Sequence, residues 1–145
     1  MSIRSTPISI EFLASVAVIA ADPPASRRLY VDALGLPLAS GADEEYFHSE
    51  KLPGCKHFGV WPLHQAAQAC FGTPTWPAER PVPQVSLEFD VADADAVQAA
   101  ADALVAAGHE ILHPVRQEPW GQTVVRLQSL EGSIVGVSYT PVMHE

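Results

Sequence analysis

Positive charge is scarce in this chain. Eight Lys and Arg stand against 17 Asp and Glu, giving a net charge of −9 over 145 residues. Nucleic acid is bound by clustered cations that neutralise phosphates, so this composition excludes it as a partner. Cysteine is also scarce. Cys55 and Cys70 have no CxxC or ribbon spacing, which excludes a zinc ribbon and a disulfide framework and reads as two reduced thiols in a cytoplasmic protein. No apolar run reaches the ~20 residues that a membrane-spanning helix needs, so no membrane association is expected. Phe12–Ala21, with Arg4 before it and Ala20-Ala21 at its end, has the outline of a secretory core. The same pattern recurs at residues 86–93, where a leader cannot stand, so the run is read as a strand. Chemical signatures are absent too. No Ser-His-Asp, Cys-His or phosphate-loop pattern is visible, and His109-Glu110 is followed by His113 one residue too late for HExxH.

What is there is a repeat. Ser15–Asp22 reads SVAVIAAD and Ser86–Asp93 reads SLEFDVAD, with apolar residues at the same alternate positions and the two Asp residues 71 positions apart. Each run leads into a helical stretch that stops at a glycine, Gly35 or Gly108. Asp22 and Asp93 suit the N-cap, and Pro23 suits the first helical position, where its missing N–H costs nothing. The pattern predicts strand one over 11–20 and a helix over 23–34 with Ala25, Leu29 and Leu34 inward and Tyr30 packed on the sheet. Short strands follow near 37–41, 45–50 and 56–62, then a helical turn at 64–69. The second copy predicts a strand over 84–91 and a helix over 93–107 with Val97, Ala101, Leu104 and Val105 on its inner face. Strands near 109–115, 121–128 and 133–139 close it. Residues 1–8 read as a loose tail. Pro74, Pro77, Pro81 and Pro83 mark residues 73–83 as a linker, because proline removes ladder donors. The order is strand, helix and three strands, twice: module one over about 9–72 and module two over about 84–141, in a single domain. Gly59-Val60 matches Gly136-Val137 near the end of each copy.

These features resemble the vicinal oxygen chelate superfamily of glyoxalase I, bleomycin-resistance proteins and extradiol dioxygenases. The resemblance is carried by Asp22 with Leu29-Tyr30 and Leu34-Gly35-Leu36, and by Pro119-Trp120-Gly121 followed by Leu130-Glu131-Gly132-Ser133-Ile134-Val135. It implies an α+β fold of two βαβββ modules, their curved mixed sheets around a cavity and their helices outside. It also implies a homodimer. Metal-using members place His, Gln or Glu ligands on the first and last strands of each module. The resemblance puts those positions at Ser15, Gly59, Ser86 and Gly136, none of which replaces an imidazole or carboxylate. No metal or other cofactor is therefore expected, in agreement with the metal-free, bleomycin-sequestering branch.

Strand alternation assigns faces. Leu87, Phe89 and Val91 should lie under the helices, and Ser86, Glu88 and Asp90 should face the cavity. His57, Gly59 and Trp61 should share a face, as should Ser15, Ala17 and Ile19. A wall of His57, Trp61 and Glu88, with Trp120, Arg126, His48 and His113 as further candidates, suits a small organic ligand, since such sites combine apolar walls with few polar groups. Each residue also has a plain structural role open to it: a solvated sheet face for Glu88, local hydrogen bonding for the histidines, packing for the tryptophans, solvent exposure for Arg126. The function expected is capture of a drug or toxic metabolite. The rival is a lyase, isomerase or dioxygenase that uses a displaced site of His57, Glu88 and His48 or His113, or acid–base chemistry by Glu88 and His57.

Overall fold

Each copy of the repeat builds a strand that runs into a capped helix. The computed structural model describes residues 8–41 and 45–145, so the expected tail lies, apart from Ile8, outside the described residues. Module one has β1 (Phe12–Ala20), α1 (Pro23–Arg27, continued by a π-helical Arg28–Ala33), β2 (Ala39–Ser40), β3 (Phe47–Ser49), β4 (Phe58–Pro62) and α2 (Leu63–Phe71). Module two has β5 (Val85–Asp90), α3 (Ala94–Ala106), β6 (Arg116–Gln117), β7 (Thr123–Gln128) and β8 (Ile134–Tyr139), with a 3₁₀ turn at Pro141–His144. The Asp22 carboxylate accepts from Ala25 N–H at 3.2 Å, and Asp93 accepts from Ala96 N–H at 2.8 Å. These caps satisfy donors that the first helical turn leaves without partners.

The eight strands form one mixed sheet in the order β2-β3-β4-β1-β5-β8-β7-β6, and the sheet does not close. Within each module the first strand pairs parallel with the last: Ala17 faces Gly59 and Glu88 faces Gly136. Between modules β1 and β5 run antiparallel, with Val16 opposite Leu87, Ser15 opposite Glu88 and Ala17 opposite Ser86. A shift of 71 residues converts Val16 into Leu87 and exchanges the other two pairs. The repeat is thus a two-fold relation about the Val16–Leu87 pair, and the Gly59 and Gly136 registers obey it as well.

One face of the sheet carries α1 and α3. Val18, Ala20, Phe58 and Val60 pack against Tyr30 and Val31, while Val91, Val125 and Val137 pack against Val97, Ala100 and Ala101. Val97 is fully buried, a contribution of roughly 1.5–3 kcal/mol. Leu29 and Leu34, expected inward, are exposed. The cause is the π-helical turn, in which Leu34 N–H bonds to Leu29 C=O five residues back, so that a 3.6-residue period no longer describes the face. Val105 is exposed because positions 97, 100, 101 and 104 already complete the buried stripe. Leu87 and Phe89 are half-buried and Val91 is buried.

Two local expectations need correction. The turn at 64–69 is a nine-residue helix. It lies on the sheet face opposite α1 and α3, packing Ala66, Ala67 and Cys70 on Ile19, Trp61 and Ile134. Residues 109–115 form only a single bridge, Ile111 with Leu127, and the pairing strand is the two-residue β6. Pro114 lies within this segment and has no N–H to donate to a ladder. Residues 73–83 carry no strand or helix, yet Trp76 within them is buried, with its indole N–H bonded to Pro81 C=O at 3.0 Å.

At the other end of β1, Asp90 holds the C-terminal turn. Its fully buried carboxylate accepts from Ser138 Oγ at 2.6 Å, Thr140 N–H at 2.7 Å and His144 Nε2 at 2.9 Å. Asp90→Ala would leave the buried Ser138 donor and the half-buried Thr140 donors without partners. The expected outcome is a loss of about 2–3 kcal/mol of unfolding free energy, read from urea denaturation.

Candidate functional site

The face opposite α1 and α3 bears the cavity, of about 700 Å³. Ser15 and Ala17 of β1, Ser86 and Glu88 of β5, and His57 and Trp61 around β4 line it, as alternation places them. Between them α2 covers the Ile19 end and the C-terminal turn supplies Thr140, Val142 and Met143. His48, Trp120 and Arg126 also line it. Trp120 is 65% exposed, so it stands at the rim rather than in a wall. His113 is buried and is not among the lining residues.

The two modules present different chemistry. In the sheet register His48 faces Gly59 just as Arg126 faces Gly136, so His48 and Arg126 are equivalent positions. Module one gathers Tyr46, His48, Glu50 and His57. The Tyr46 hydroxyl lies 2.5 Å from His57 Nε2, and His57 Nδ1 lies 3.1 Å from Glu50 Oε1. His48 stacks on His57 at 5.0 Å between ring centroids. Burial lowers the His57 pKa, with His48 adding to this and Glu50 opposing it. A neutral His57 with its proton on Nδ1 donates to Glu50 and accepts the Tyr46 O–H at Nε2.

Module two gathers ion pairs. Arg126 is almost fully buried and donates to Glu118 at 3.1 Å and to the Ala69 carbonyl of α2 at 3.4 Å, with Glu88 at 4.0 Å. Arg116 also bonds to Glu118 and to Ala69 C=O. Burial alone would raise the Glu118 pKa, but the bonds and charges of Arg116 and Arg126 outweigh it and hold the carboxyl below its usual range. Gln122 bridges Trp120 to Glu88, accepting from the indole N–H and donating to the carboxylate, each at 2.9 Å. Cys70 is no nucleophile, since burial pushes its thiol up to about 11.

The four positions where the family places ligands do not suit a metal. Ser15 and Ser86 offer only hydroxyls. A Cβ at Gly59 would lie 2.5 Å from the Tyr46 hydroxyl and 2.6–2.8 Å from its ring, and a Cβ at Gly136 would lie 3.2 Å from Glu88 Cγ. Tyr46 and Glu88 therefore fill the space into which ligands at those glycines would grow. The displaced set expected from the sequence is not assembled either. Among the described residues the donor group that converges is His48, Glu50 and His57, with Glu88 and His113 committed to the Arg126 cluster.

Tyr46, Glu50, Gln122 and Glu118 escaped the sequence reading. For Tyr46 and Glu50 the signal was present, because positions 46, 48 and 50 alternate onto one strand face. For Gln122 and Glu118 there was none, since Pro119–Gly121 is an irregular turn.

A family model described as the Glyoxalase/Bleomycin resistance protein/Dioxygenase superfamily matches residues 12–134, and the chain belongs to that superfamily. No protein of curated function matches the sequence. The fold is shared with a superfamily member from Vibrio splendidus (16% identity, 89% of this chain and 100% of that one, TM-score 0.59). It is also shared with 2,2',3-trihydroxybiphenyl 1,2-dioxygenase from Sphingomonas wittichii (15% identity, 88% of this chain and 42% of that one, TM-score 0.56). A third is the methylmalonyl-CoA epimerase of Streptomyces coelicolor (13% identity, 92% and 96%, TM-score 0.52). No helix among the described residues is long and apolar enough to cross a membrane.

Two outcomes test this geometry. Gly59→Ala should cost about 1–3 kcal/mol by collision with Tyr46. In a Tyr46→Ala background the same change should be neutral or stabilising, since strand glycine is otherwise a disadvantage. The second outcome concerns His113, whose Nδ1–H donates to Pro114 C=O at 2.7 Å and whose Nε2 faces Arg126 at 3.3 Å. Burial lowers its pKa, and Arg126 and Arg116 add to this against the Pro114 bond. The unfolded chain then takes up this proton first, so the contribution is complete above about pH 6.5 and is lost as pH falls through the folded value. Denaturation between pH 7 and 5 should show stability falling, with a shallower slope in His113→Gln.

Proposed function

We propose that this protein captures a small organic ligand, a drug or toxic metabolite, without a metal at the family positions, as bleomycin-resistance members of its superfamily do. The observation that carries the reading is the cavity itself. It has the size of a small-molecule site, with Tyr46 and Trp61 as aromatic walls, Trp120 at the rim and the buried Arg126 cation at its base. This combination suits a flat aromatic ligand, whose rings stack on indole and phenol. We place this activity in the cytoplasm, with Cys55 and Cys70 as free thiols.

A second reading, an enzyme of the lyase, isomerase or dioxygenase kind, is favoured by one observation. His57 is held on both ring nitrogens, by Tyr46 and by Glu50, as an acid–base group would be. A ligand that co-purifies and is chemically altered on incubation would select the enzyme.

Titration with 8-anilinonaphthalene-1-sulfonate, a flat aromatic anion, tests the capture reading in buffer containing EDTA. The expected result is one site per chain and a raised melting temperature. Trp61→Ala should weaken binding by about tenfold, the loss of one aromatic stacking contact of ~1.5 kcal/mol. Binding that does not raise the melting temperature, or that Trp61→Ala leaves unchanged, would count against the cavity as the site.

A further inference from the structure

We propose that His48, Glu50 and His57 form a transition-metal site at the wall of this cavity, displaced from the positions that serve the family. The ligand class is a borderline divalent ion such as zinc or cobalt(II), since two imidazoles and one carboxylate are the donor set such ions take. The site stands on its own geometry and does not rest on the capture reading.

Three observations converge. First, His48, Glu50 and His57 each offer one donor atom, and these three atoms all lie within 4.8 Å of one another. His48 Nδ1 and His57 Nδ1 address the same oxygen, Glu50 Oε1, at 2.9 and 3.1 Å. Donors about 2.1 Å from one ion and 90–110° apart are themselves roughly 3.0–3.4 Å apart, so the 3.1 Å spacing fits and the 2.9 Å spacing lies 0.1 Å short of it. Second, His48 Nδ1 is shut off from solvent and has no hydrogen-bond partner, although the carboxylate oxygen is only 2.9 Å away. A buried ring nitrogen left so is costly unless something else occupies it. A cation between the three atoms would take up that lone pair. Third, the neighbours support the ligands. Tyr46 holds His57 Nε2 at 2.5 Å, and a phenol oxygen can accept a hydrogen bond there as well as donate one. His57 can therefore turn its Nδ1 lone pair to a metal and give Nε2–H to Tyr46, the outer contact that metal-bound histidines require.

The chain order explains why these residues meet. His48 and Glu50 share a face at the end of β3, and His57 enters β4 on the same face. Antiparallel pairing of His48 with Gly59, together with the turn at Leu52–Cys55, brings them together. Gly59 leaves room for Tyr46, and Tyr46 in turn positions His57. The loss of a side chain at the family position and the new donor set are thus parts of one arrangement. All three donors border the cavity, so an ion here would have its open coordination positions toward a bound ligand.

The experiment is metal titration of the full chain after EDTA treatment and desalting, with zinc followed by calorimetry and cobalt(II) by visible absorption. One equivalent is expected, with cobalt bands of a nitrogen- and oxygen-ligated ion. His48→Ala and His57→Ala should each weaken zinc binding at least a hundredfold. Glu50→Gln, which keeps size and polarity, should weaken it ten- to a hundredfold, and Tyr46→Phe about tenfold. His64→Ala and His109→Ala, at surface histidines, should change nothing. Circular dichroism on each variant separates lost binding from lost folding, and Glu50→Gln decides if the histidine variants do not fold. No stoichiometric zinc in the wild type, or binding unchanged by His48→Ala and Glu50→Gln, would overturn the site. The naphthalene sulfonate titration runs in EDTA, so failure of the metal site and failure of the capture reading are read separately.

Discussion

The antiparallel pairing of β1 with β5 holds the two modules in one sheet, and the site depends on it. With Val16 opposite Leu87, Ser15 meets Glu88 and Ala17 meets Ser86 on one face, while Val18 and Leu87 turn to the other. Every inner residue of one module is then fixed in space relative to the other. A slip of one residue would exchange the faces and place Glu88 among the helices. The parallel pairs β1–β4 and β5–β8 extend the same order outward, so the cavity is a consequence of register rather than of any loop.

On this two-fold frame the halves have diverged. Equivalent positions hold His48 and Arg126, and Ala17 and Glu88. Module two spends its polar residues on holding α2: Arg116 and Arg126 both reach the carbonyl of Ala69, and Glu118 compensates them. A buried guanidinium without such partners would be strongly unfavourable. In module one the polar residues cluster around an aromatic ring, that of Tyr46. One half therefore supplies a compensated ion-pair cluster and the other a set of imidazole, phenol and carboxylate groups. A duplicated scaffold allows this, because a change on the inner face of one copy leaves the outer core of both intact.

The architecture was legible from sequence because it rests on local signals: alternating apolar residues, Asp caps and glycine stops, repeated at one offset. Those signals placed β1, β5 and α3 closely and set Ser15, Ser86, Glu88, His57 and Trp61 on the inner face. They failed where local preference was overridden. The α1 helix widens into a π-turn, which no periodicity reveals, so Leu29 and Leu34 were misplaced. The α2 helix has few polar residues and no acidic cap, and it forms because Ala66, Ala67 and Cys70 bury against the sheet. The partners of Arg126 were equally hidden, since Glu118 reaches it from an irregular turn and Ala69 from a helix 57 residues earlier.

By itself the sequence determined that this chain is a twofold strand-helix repeat of the glyoxalase and bleomycin-resistance superfamily, and that its ligand positions are serines and glycines. The repeat follows from residue identity and spacing along one chain, and the ligand positions follow from the resemblance those residues carry. Only the tertiary structure decided what replaced those ligands. Whether Tyr46 fills the space over Gly59, whether Glu50 meets His48 and His57, and whether Arg126 is dry depend on contacts between strands and on a helix laid across them. Such contacts are set by packing and register, and a linear pattern holds no record of distance between residues that pair across a sheet.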